Sequence, residues 1–271
     1  MAGDPFWSHR VASAAIVFAF LVGEMLVRFA VHGRPPVLPS LAANVFIWIV
    51  ELIIRSLLLG LRLFVFQALG ALAPVHLPVT IPIGCFAYVL TDFIYYWKHR
   101  LFHSTRFGWA VHSAHHSSEE LTMMATFRIS WIEAPLSYFF FTPLIFAGFD
   151  PILLFFVIEL NDVTQIWCHT DMIGALPWLD PWLNTPQNHG RHHARDRFTA
   201  DGNYGATFMI WDRIFGTFRP GGYLGPYGIE GAPSSANPFR IQLGPIVDWF
   251  FALFARRSET ETTSTPAAEK I

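Results

Sequence analysis

Five long apolar stretches limit what this chain can fold into. They cover residues 11–31, 42–73, 77–97, 131–149 and 150–168, and a helix built from any of them is long enough to cross a bilayer. Hydrophobic residues occupy 53% of the 271 positions and charged residues only 14%. Few soluble domains of this length carry so much apolar surface. We therefore predict an all-α integral membrane protein, built as a transmembrane helix bundle.

Two of these stretches contain opposite charges at helical spacing. Glu24 lies four residues before Arg28, and Glu51 lies four residues before Arg55. Side chains four apart share one face of a helix, where they can form an ion pair. An isolated charge in an apolar helix is costly, so we predict that each pair neutralises itself.

Net charge and cysteine content exclude several classes of protein and site. The formal net charge is −2 and no run of Lys and Arg appears, so the chain lacks the basic surface that binds nucleic acid. Its two cysteines, Cys85 and Cys168, both lie in apolar segments and provide neither a disulfide framework nor a CxxC metal site. Any metal ion would have to be held by histidine.

The positions of the basic residues predict the orientation in the membrane. Residues 73–79 contain no Lys or Arg, whereas four basic residues follow the third apolar stretch before a gap that ends at Arg191. Positive charge favours the cytoplasmic side, so we expect the histidine-rich segments to form a helical cap there. Residues 131–168 then form a hairpin that turns at 149–151 and returns His169 to the same side.

Histidine spacing indicates a metal centre. Nine of the twelve histidines fall between residues 99 and 193, and the pattern His-x-x-His-His occurs twice, as "HSAHH" at 112–116 and "HGRHH" at 189–193. Helical positions i, i+3 and i+4 share a face. Nine imidazoles exceed the three or four that one zinc ion needs, which favours two metal ions; iron, zinc, copper and nickel all suit such ligands. The candidate ligands are His99, His103, His112, His115, His116, His169, His189, His192 and His193.

Polar residues upstream of these histidines are candidates for orienting the rings. Asp92 lies seven residues before His99, and Gln165 and Asp162 lie four and seven residues before His169. Carboxylates and amides commonly fix metal-binding imidazoles by hydrogen bonding. We expect these three side chains to support the ligands, and we rank Glu133 and Glu159 behind them.

The histidine boxes and their surroundings resemble a known family. The segments "DFIYYWKHRLFH", "HSAHH", "QIWCHTDMIG" and "NTPQNHGRHHARDRFTADGNYGATFMIWDRIFGTF" together resemble the fatty acid hydroxylase/sterol desaturase superfamily over about residues 85–220. The resemblance implies that the nine histidines bind two iron ions, with His169 supplied by the last hairpin. Asn188 stands where many relatives have a histidine, and we place it among the supporting residues. The NYG and WDR motifs (203–205 and 211–213) are expected to shape the cap.

That resemblance also implies an activity. Members of the superfamily are O2-dependent di-iron oxygenases that hydroxylate or desaturate a C–H site of a lipid, and we favour hydroxylation. A fatty acyl chain, a sterol-like ring system and an ether lipid all remain possible substrates. No flavin, nicotinamide or iron–sulfur motif is present, so a separate electron donor is implied, such as a reductase, a ferredoxin or a cytochrome.

We expect one membrane-embedded oxygenase domain over residues 1–256, with a histidine-box core at 85–220 and a disordered tail at 257–271. The alternative is a non-oxidative membrane metal-binding protein. A haem protein would use one or two axial histidines and leave most of the cluster unexplained. A zinc or metal transporter would place its ligands near the bilayer midplane, and a zinc hydrolase would be expected to carry HExxH, which is absent.

Overall fold

The described residues of the computed structural model, 5–223, 225–232 and 234–263, form helices and no strand, with two isolated bridges. Two short 3-10 helices lie at Met123–Phe127 and Tyr138–Phe141. The α-helices are α1 Pro5–Ala30, α2 Leu38–Gly70, α3 Ile81–Ser104, α4 Arg106–His116, α5 Glu133–Ser137, α6 Thr142–Phe146, α7 Pro151–Thr164, α8 Pro186–His192, α9 Arg197–Ala200, α10 Ile210–Ile214 and α11 Pro238–Thr263. The prediction of an all-α chain is confirmed.

Three of the helices that carry or adjoin the histidine motifs, α4, α7 and α8, begin at side-chain caps. Thr105 accepts the Gly108 amide hydrogen at the start of α4, and Thr185 accepts that of Asn188 at the start of α8. Asp150 caps α7 by accepting the amide hydrogens of its first turn. Such caps satisfy backbone donors that have no partner within the helix. They fix where each helix begins, and so which way its histidines point.

The largest apolar core joins α2, α3, α6 and α7. α3 contacts both α4 and α7, so the helix that carries the first histidine pair is held by its neighbours from two directions. Burying these side chains together is the main favourable contribution to packing the helices. The fully buried members of this core are Phe66, Ala87, Phe141, Leu144, Ile145, Phe149, Leu154, Val157 and Ile158.

The segment 131–149 differs from the single long stretch that its composition indicates. It is divided into α5, a 3-10 helix and α6, and each α-helix contains a proline, Pro135 or Pro143. Proline lacks an amide hydrogen and clashes with the preceding helical turn, so it interrupts regular helix. The turn between α6 and α7 includes Gly148, at φ 97°, and lies at the position predicted for the hairpin.

Both predicted ion pairs are present. Arg28 Nε lies 3.3 Å from Glu24 Oε1, and Arg55 Nε lies 2.8 Å from Glu51 Oε1. Arg28 also pairs with Asp171 and donates to the Leu121 carbonyl. Each arginine therefore ties its helix to other elements as well as neutralising its nearest carboxylate.

Within the described residues, none of the helices combines the length and the apolar character that crossing a membrane requires. At the carboxyl end, α11 continues to Thr263, into the segment expected to be a tail. Residues 264–271 of that predicted tail lie outside the described residues.

Candidate metal centre

All nine predicted histidines are buried and lie together in two groups. Each histidine offers one ring nitrogen as a candidate ligand, and within a group these nitrogens all lie within 4.8 Å of one another. The five-histidine group consists of His99, His103, His112, His116 and His192. The four-histidine group consists of His115, His169, His189 and His193.

Each His-x-x-His-His box contributes to both groups. In the first box the outer histidines, four residues apart, belong to the five-histidine group, whereas His115 belongs to the other. In the second box His189 and His193 belong to the four-histidine group, whereas His192 belongs to the five-histidine group. The i and i+4 side chains of a helix lie above one another, and the i+3 side chain is displaced around the axis. The displaced histidine of each box, His115 or His192, lies in the group that the other two histidines of its box do not join. The rings of His116 and His193 stack across the two groups with centroids 4.3 Å apart.

Four of the rings are fixed by hydrogen bonds from Nδ1. Because each acceptor is an oxygen, Nδ1 carries the hydrogen, and the neutral ring has none left on Nε2. Nε2 therefore presents a lone pair to the interior of the group. The bonds, all 2.8–2.9 Å long, run from His99 to Tyr204 O, from His112 to Glu133 Oε2, from His169 to Gln165 O and from His192 to Gly202 O.

Burial keeps the rings in the form that binds a metal ion. It lowers the pKa of His169 to about 4 and that of His192 to about 3, because the charged imidazolium is poorly solvated inside the protein. Burial and neighbouring imidazoles lower the pKa of the following rings well below the usual value: His99, His115, His116, His189 and His193. These rings are neutral at pH 7.

The Nε2 atoms face one another at distances that suit a shared cation. His99 and His112 both donate from Nδ1, yet their Nε2 atoms are 3.1 Å apart. In two neutral rings the Nε2 lone pairs at that distance repel each other unless a cation lies between them. Nitrogens that bind one metal ion at about 2.1 Å in adjacent octahedral positions are separated by about 3 Å.

The four-histidine group has the same character. His169 Nε2, already without a hydrogen, is approached by His115 Nε2 at 3.0 Å and by His189 Nε2 at 2.9 Å. One lone pair can accept only one of these as a hydrogen bond. In the other group, His192 Nε2 is buried without any hydrogen-bond partner. Unpartnered buried nitrogens are costly, and a metal ion in each group would satisfy them.

Glu133 is a supporting residue that sequence reasoning ranked too low. Its side chain is buried, accepts the hydrogen bond from His112 and has Lys98 Nζ 3.8 Å from Oε1. The signal was present, since Glu133 is an acid within a long apolar stretch, which is costly without a partner. Its partner is His112, which lies 21 positions earlier and so cannot be found from helical spacing.

Asp92 does not contact an imidazole, which corrects the role predicted from its spacing. Its carboxylate accepts hydrogen bonds from the backbone of Thr207 and Phe208 and from the side chains of Asn161 and Trp211. Three of these four donors lie in the 207–211 segment. Asp92 thus anchors the cap to α3.

The three other predicted supporting side chains also lie away from the rings. The Gln165 side chain donates to Asn161 O, and only the Gln165 backbone carbonyl reaches His169. Asp162 accepts from Arg55. Asn188 donates to the carbonyls of Asp180 and Leu183, so this amide fastens α8 and does not take the place of a histidine ligand.

The NYG and WDR motifs shape the cap. Asp212 accepts hydrogen bonds from the amides of Tyr204 and Gly205, both at 2.8 Å, and from the Thr217 hydroxyl at 2.7 Å. Asn203 adopts a positive φ of 55° just before this loop. The loop is thereby held where the Tyr204 carbonyl meets His99, so the two motifs act on the centre through the backbone.

A cavity of about 210 Å³ reaches the four-histidine group. His115 and His169 form part of its wall, and the rest combines apolar side chains, such as Leu52 and Phe141, with several charged ones. The four-histidine group therefore borders this cavity, whereas His103 and His116 of the five-histidine group border a separate cavity of about 310 Å³.

Comparison with known proteins agrees with the site. Residues 84–217 match the family model described as "Fatty acid hydroxylase". The alkylglycerol monooxygenases of Xenopus tropicalis and Homo sapiens are each 33% identical to the chain, over 83% and 81% of its length. Methylsterol monooxygenase 2-2 of Arabidopsis thaliana is 27% identical, over 56% of this chain and 59% of that protein.

The chain spans about half the length of the two alkylglycerol monooxygenases, 51% and 50%. No solved structure matches it. The family match, 84–217, contains every histidine of both groups and the Asp212 loop that supports them. The chain belongs to the fatty acid hydroxylase family.

Proposed function

We propose that the protein is an O2-dependent di-iron oxidoreductase that oxidises a C–H bond of a lipid. Hydroxylation is favoured over desaturation, because the relatives described above are named as monooxygenases. The two alkylglycerol monooxygenases align with most of the chain, and the methylsterol monooxygenase aligns with about half of it. Their names mention alkylglycerol and methylsterol, which makes ether lipids and sterol-like lipids the first substrates to test.

One observation carries the proposal: His99 and His112 both donate from Nδ1 to oxygen atoms, and their Nε2 atoms face each other 3.1 Å apart inside a buried imidazole group. This geometry fits a cation and is unfavourable without one. The five-histidine and four-histidine groups would hold one iron ion each. Iron bound there would supply the redox chemistry that activates O2 toward an unactivated C–H bond.

The protein itself positions the ligands and shields the site. The Gly202 and Tyr204 carbonyls and the Glu133 carboxylate fix imidazoles of the five-histidine group by accepting their Nδ1 hydrogens. The four-histidine group offers fewer ligands and borders the cavity through His115 and His169. The reacting carbon of the lipid would approach that group, with apolar cavity walls limiting access of water.

We further propose that the protein is embedded in a membrane with its histidine side facing the cytoplasm, and that a separate protein donates its electrons. Large apolar side chains on α2 and α3 are exposed, among them Leu57, Phe64 and Ile81, and many exposed large apolar side chains are typical of proteins that contact lipid. The basic residues that follow the third apolar stretch support the orientation.

We also propose that residues 1–256 form a single oxygenase domain. α11 contacts both α2 and α4, so the carboxyl-terminal helix packs against the same bundle that holds the first His-x-x-His-His box. This packing supports one unit and leaves 257–271 as its terminal extension.

The direct test is product formation. The full-length protein, loaded anaerobically with iron, is supplied with a reductant, O2 and either 1-O-alkylglycerols or a lipid extract, and lipids are analysed by mass spectrometry. We expect a lipid that has gained one oxygen atom; loss of two hydrogen atoms would indicate desaturation. Absence of both, with iron bound and electrons supplied, would contradict the proposal.

Matched histidine variants give the control. His116→Gln removes one imidazole from the five-histidine group and should abolish the product, whereas His32→Gln alters an exposed histidine outside both groups and should leave it unchanged. A haem absorption band in the purified protein, or metal uptake without O2 consumption, would instead favour a non-oxidative metal-binding protein.

A further inference from the structure

A charged cluster lies where two cavities meet. The cavity that borders His115 and His169 shares Arg55, Arg62 and Tyr138 with a second cavity of about 140 Å³. The second cavity is otherwise largely apolar, with walls that include Ile54, Leu58, Leu61, Val65, Phe66 and Phe139. Its strongly polar side chains, Arg55, Arg62 and Tyr138, lie at the boundary with the first cavity. Burying charged side chains costs free energy, so their presence at this boundary needs an explanation.

Six side chains form this cluster, which we call the ionic ledge: Glu51, Arg55, Arg62, Tyr138, Glu159 and Asp162. Arg55 donates to Glu51 at 2.8 Å and to Asp162 at 3.3 Å. Arg62 and the Tyr138 hydroxyl both donate to Glu159 Oε1, at 3.3 and 3.2 Å. The charges are thus paired with one another, and no cation of the ledge stands without a carboxylate.

The ledge nevertheless leaves hydrogen-bonding groups available to a ligand. The Arg62 side chain is 10% exposed, and its Nε has no hydrogen-bond partner. The carboxylates of Glu159 and Asp162 are 37% and 39% exposed. The ledge therefore presents one unsatisfied donor beside accessible acceptors, and a buried donor of this kind is costly when unpaired.

The chemistry of the ledge distinguishes between kinds of ligand. Its three carboxylates outnumber its two guanidinium groups, and the other two charged side chains nearby in the cavity wall, Lys98 and Glu133, pair with each other at 3.8 Å. A carboxylate or phosphate would therefore be repelled. An ammonium group has no acceptor to offer the Arg62 Nε. A hydroxyl group accepts from that nitrogen and donates to a carboxylate oxygen at the same time.

We propose that the ionic ledge binds an uncharged, hydroxyl-bearing polar group of the lipid, while the adjoining apolar cavity holds hydrocarbon. The inference rests on the proposed function, since it assumes that the ligand of the cavity beside the four-histidine group is a lipid. It assigns selection by head-group charge to Arg62, Glu159 and Asp162, none of which belongs to either histidine group.

Equilibrium binding tests this assignment without requiring turnover. The full-length protein in detergent micelles, with no reductant added, is titrated with 1-O-hexadecylglycerol, hexadecanoate and hexadecylammonium, which share one alkyl chain and differ in head-group charge. We expect the uncharged lipid to bind at least about tenfold more tightly than either charged lipid. Equal or tighter binding of the carboxylate or the ammonium would overturn the proposal.

Substitutions in the ledge should change the selectivity itself. Arg62→Lys keeps the charge but removes the Nε donor, and should weaken binding of the uncharged lipid about three- to tenfold. Arg106→Lys, at an exposed position outside both cavities, should change nothing. Asp162→Asn should raise affinity for the carboxylate relative to the uncharged lipid, and this ratio remains measurable if Arg62→Lys fails to fold.

The outcomes separate this inference from the proposed function. A protein that oxidises lipid but whose head-group selectivity is unchanged by both ledge substitutions would overturn the assignment of the ledge and leave the oxygenase activity standing. Selective binding of the uncharged lipid, lost in the Arg62→Lys variant, in a protein that oxidises nothing would support the ledge and contradict the oxygenase proposal.

Discussion

At the scale of single residues, the orientation of four of the imidazoles depends on what accepts the hydrogen on Nδ1. Three of the acceptors are backbone carbonyls and one is the Glu133 carboxylate. Carbonyl acceptors are provided by any residue type, so sequence identity does not reveal them. Helical spacing predicts that the nine histidines lie together, as they do, but it does not give the partners of Asp92 and Gln165, whose side chains hydrogen bond elsewhere.

Replacing Glu133 tests the carboxylate. Glu133→Ala removes the acceptor of the His112 Nδ1 hydrogen and should weaken metal binding by the intact protein about 10–100-fold. Glu133→Gln retains an oxygen acceptor and should lose less. Affinity is measured by competition with a chelator of known strength.

Glu119→Ala is the matched control for this substitution, because the Glu119 side chain is 50% exposed and pairs with Arg195 on the surface. It should bind metal as the unsubstituted protein does. If Glu133→Ala bound metal equally well, the carboxylate would have no part in holding His112.

At the scale of secondary-structure elements, the centre depends on how the cap is fastened to the helices. Asp92 on α3 accepts two hydrogen bonds from the segment before α10, one from Trp211 on α10 and one from Asn161 on α7. Asp212 holds the loop that contains Tyr204. The sequence predicts the long helices from their apolar stretches. It does not predict which loop a buried acid will bind, because that partner is distant along the chain.

Loss of the Asp92 charge should destabilise the whole fold. Asp92→Asn places an amide hydrogen among four donors, and we expect the free energy of unfolding to fall by about 2–4 kcal/mol. Thermal unfolding in detergent, followed by circular dichroism, measures the change. Asp248→Asn, at an exposed position on α11, should have little effect; equal melting temperatures for the two variants would refute the anchoring role.

The turn between α6 and α7 requires glycine. Gly148 has a φ of 97°, and a Cβ atom there would lie 2.6 Å from the Val75 carbonyl oxygen. Gly148→Ala should therefore lower the free energy of unfolding by about 1–3 kcal/mol. Gly60→Ala, where a Cβ atom meets nothing within 4 Å, should be neutral or stabilising by about 0.5–1 kcal/mol. Similar losses in both variants would contradict this account of the turn.

At the scale of the whole molecule, two histidine boxes far apart in sequence build adjacent sites. His115 of the first box lies with the outer histidines of the second box, and His192 of the second box lies with those of the first. Convergence of the nine rings follows from motif spacing and from the family resemblance. Their division into five and four does not, because it depends on the relative rotation of α4 and α8, which tertiary packing sets. The same holds for the ionic ledge, whose members come from α2, α7 and the 3-10 helix before α6.

Exposed apolar side chains on α2 and α3 lead to a prediction about the intact protein. Their exposure, 77% for Leu57 and 85% for Ile81, should keep the protein in the membrane fraction of disrupted cells. We expect it to resist extraction by high salt and alkaline carbonate and to be released by detergent. Release by salt alone would indicate attachment through surface charges and contradict our proposal of an embedded protein.

The central claim is that the two histidine groups bind two metal ions. Metal analysis of the purified, iron-reconstituted protein, combined with X-ray absorption spectroscopy, measures both stoichiometry and ligand type. We predict two iron ions per chain with nitrogen as the dominant protein ligand, and loss of metal when His116 or His193 is replaced by glutamine. A protein that binds no iron, or a single ion unaffected by either substitution, would contradict the claim.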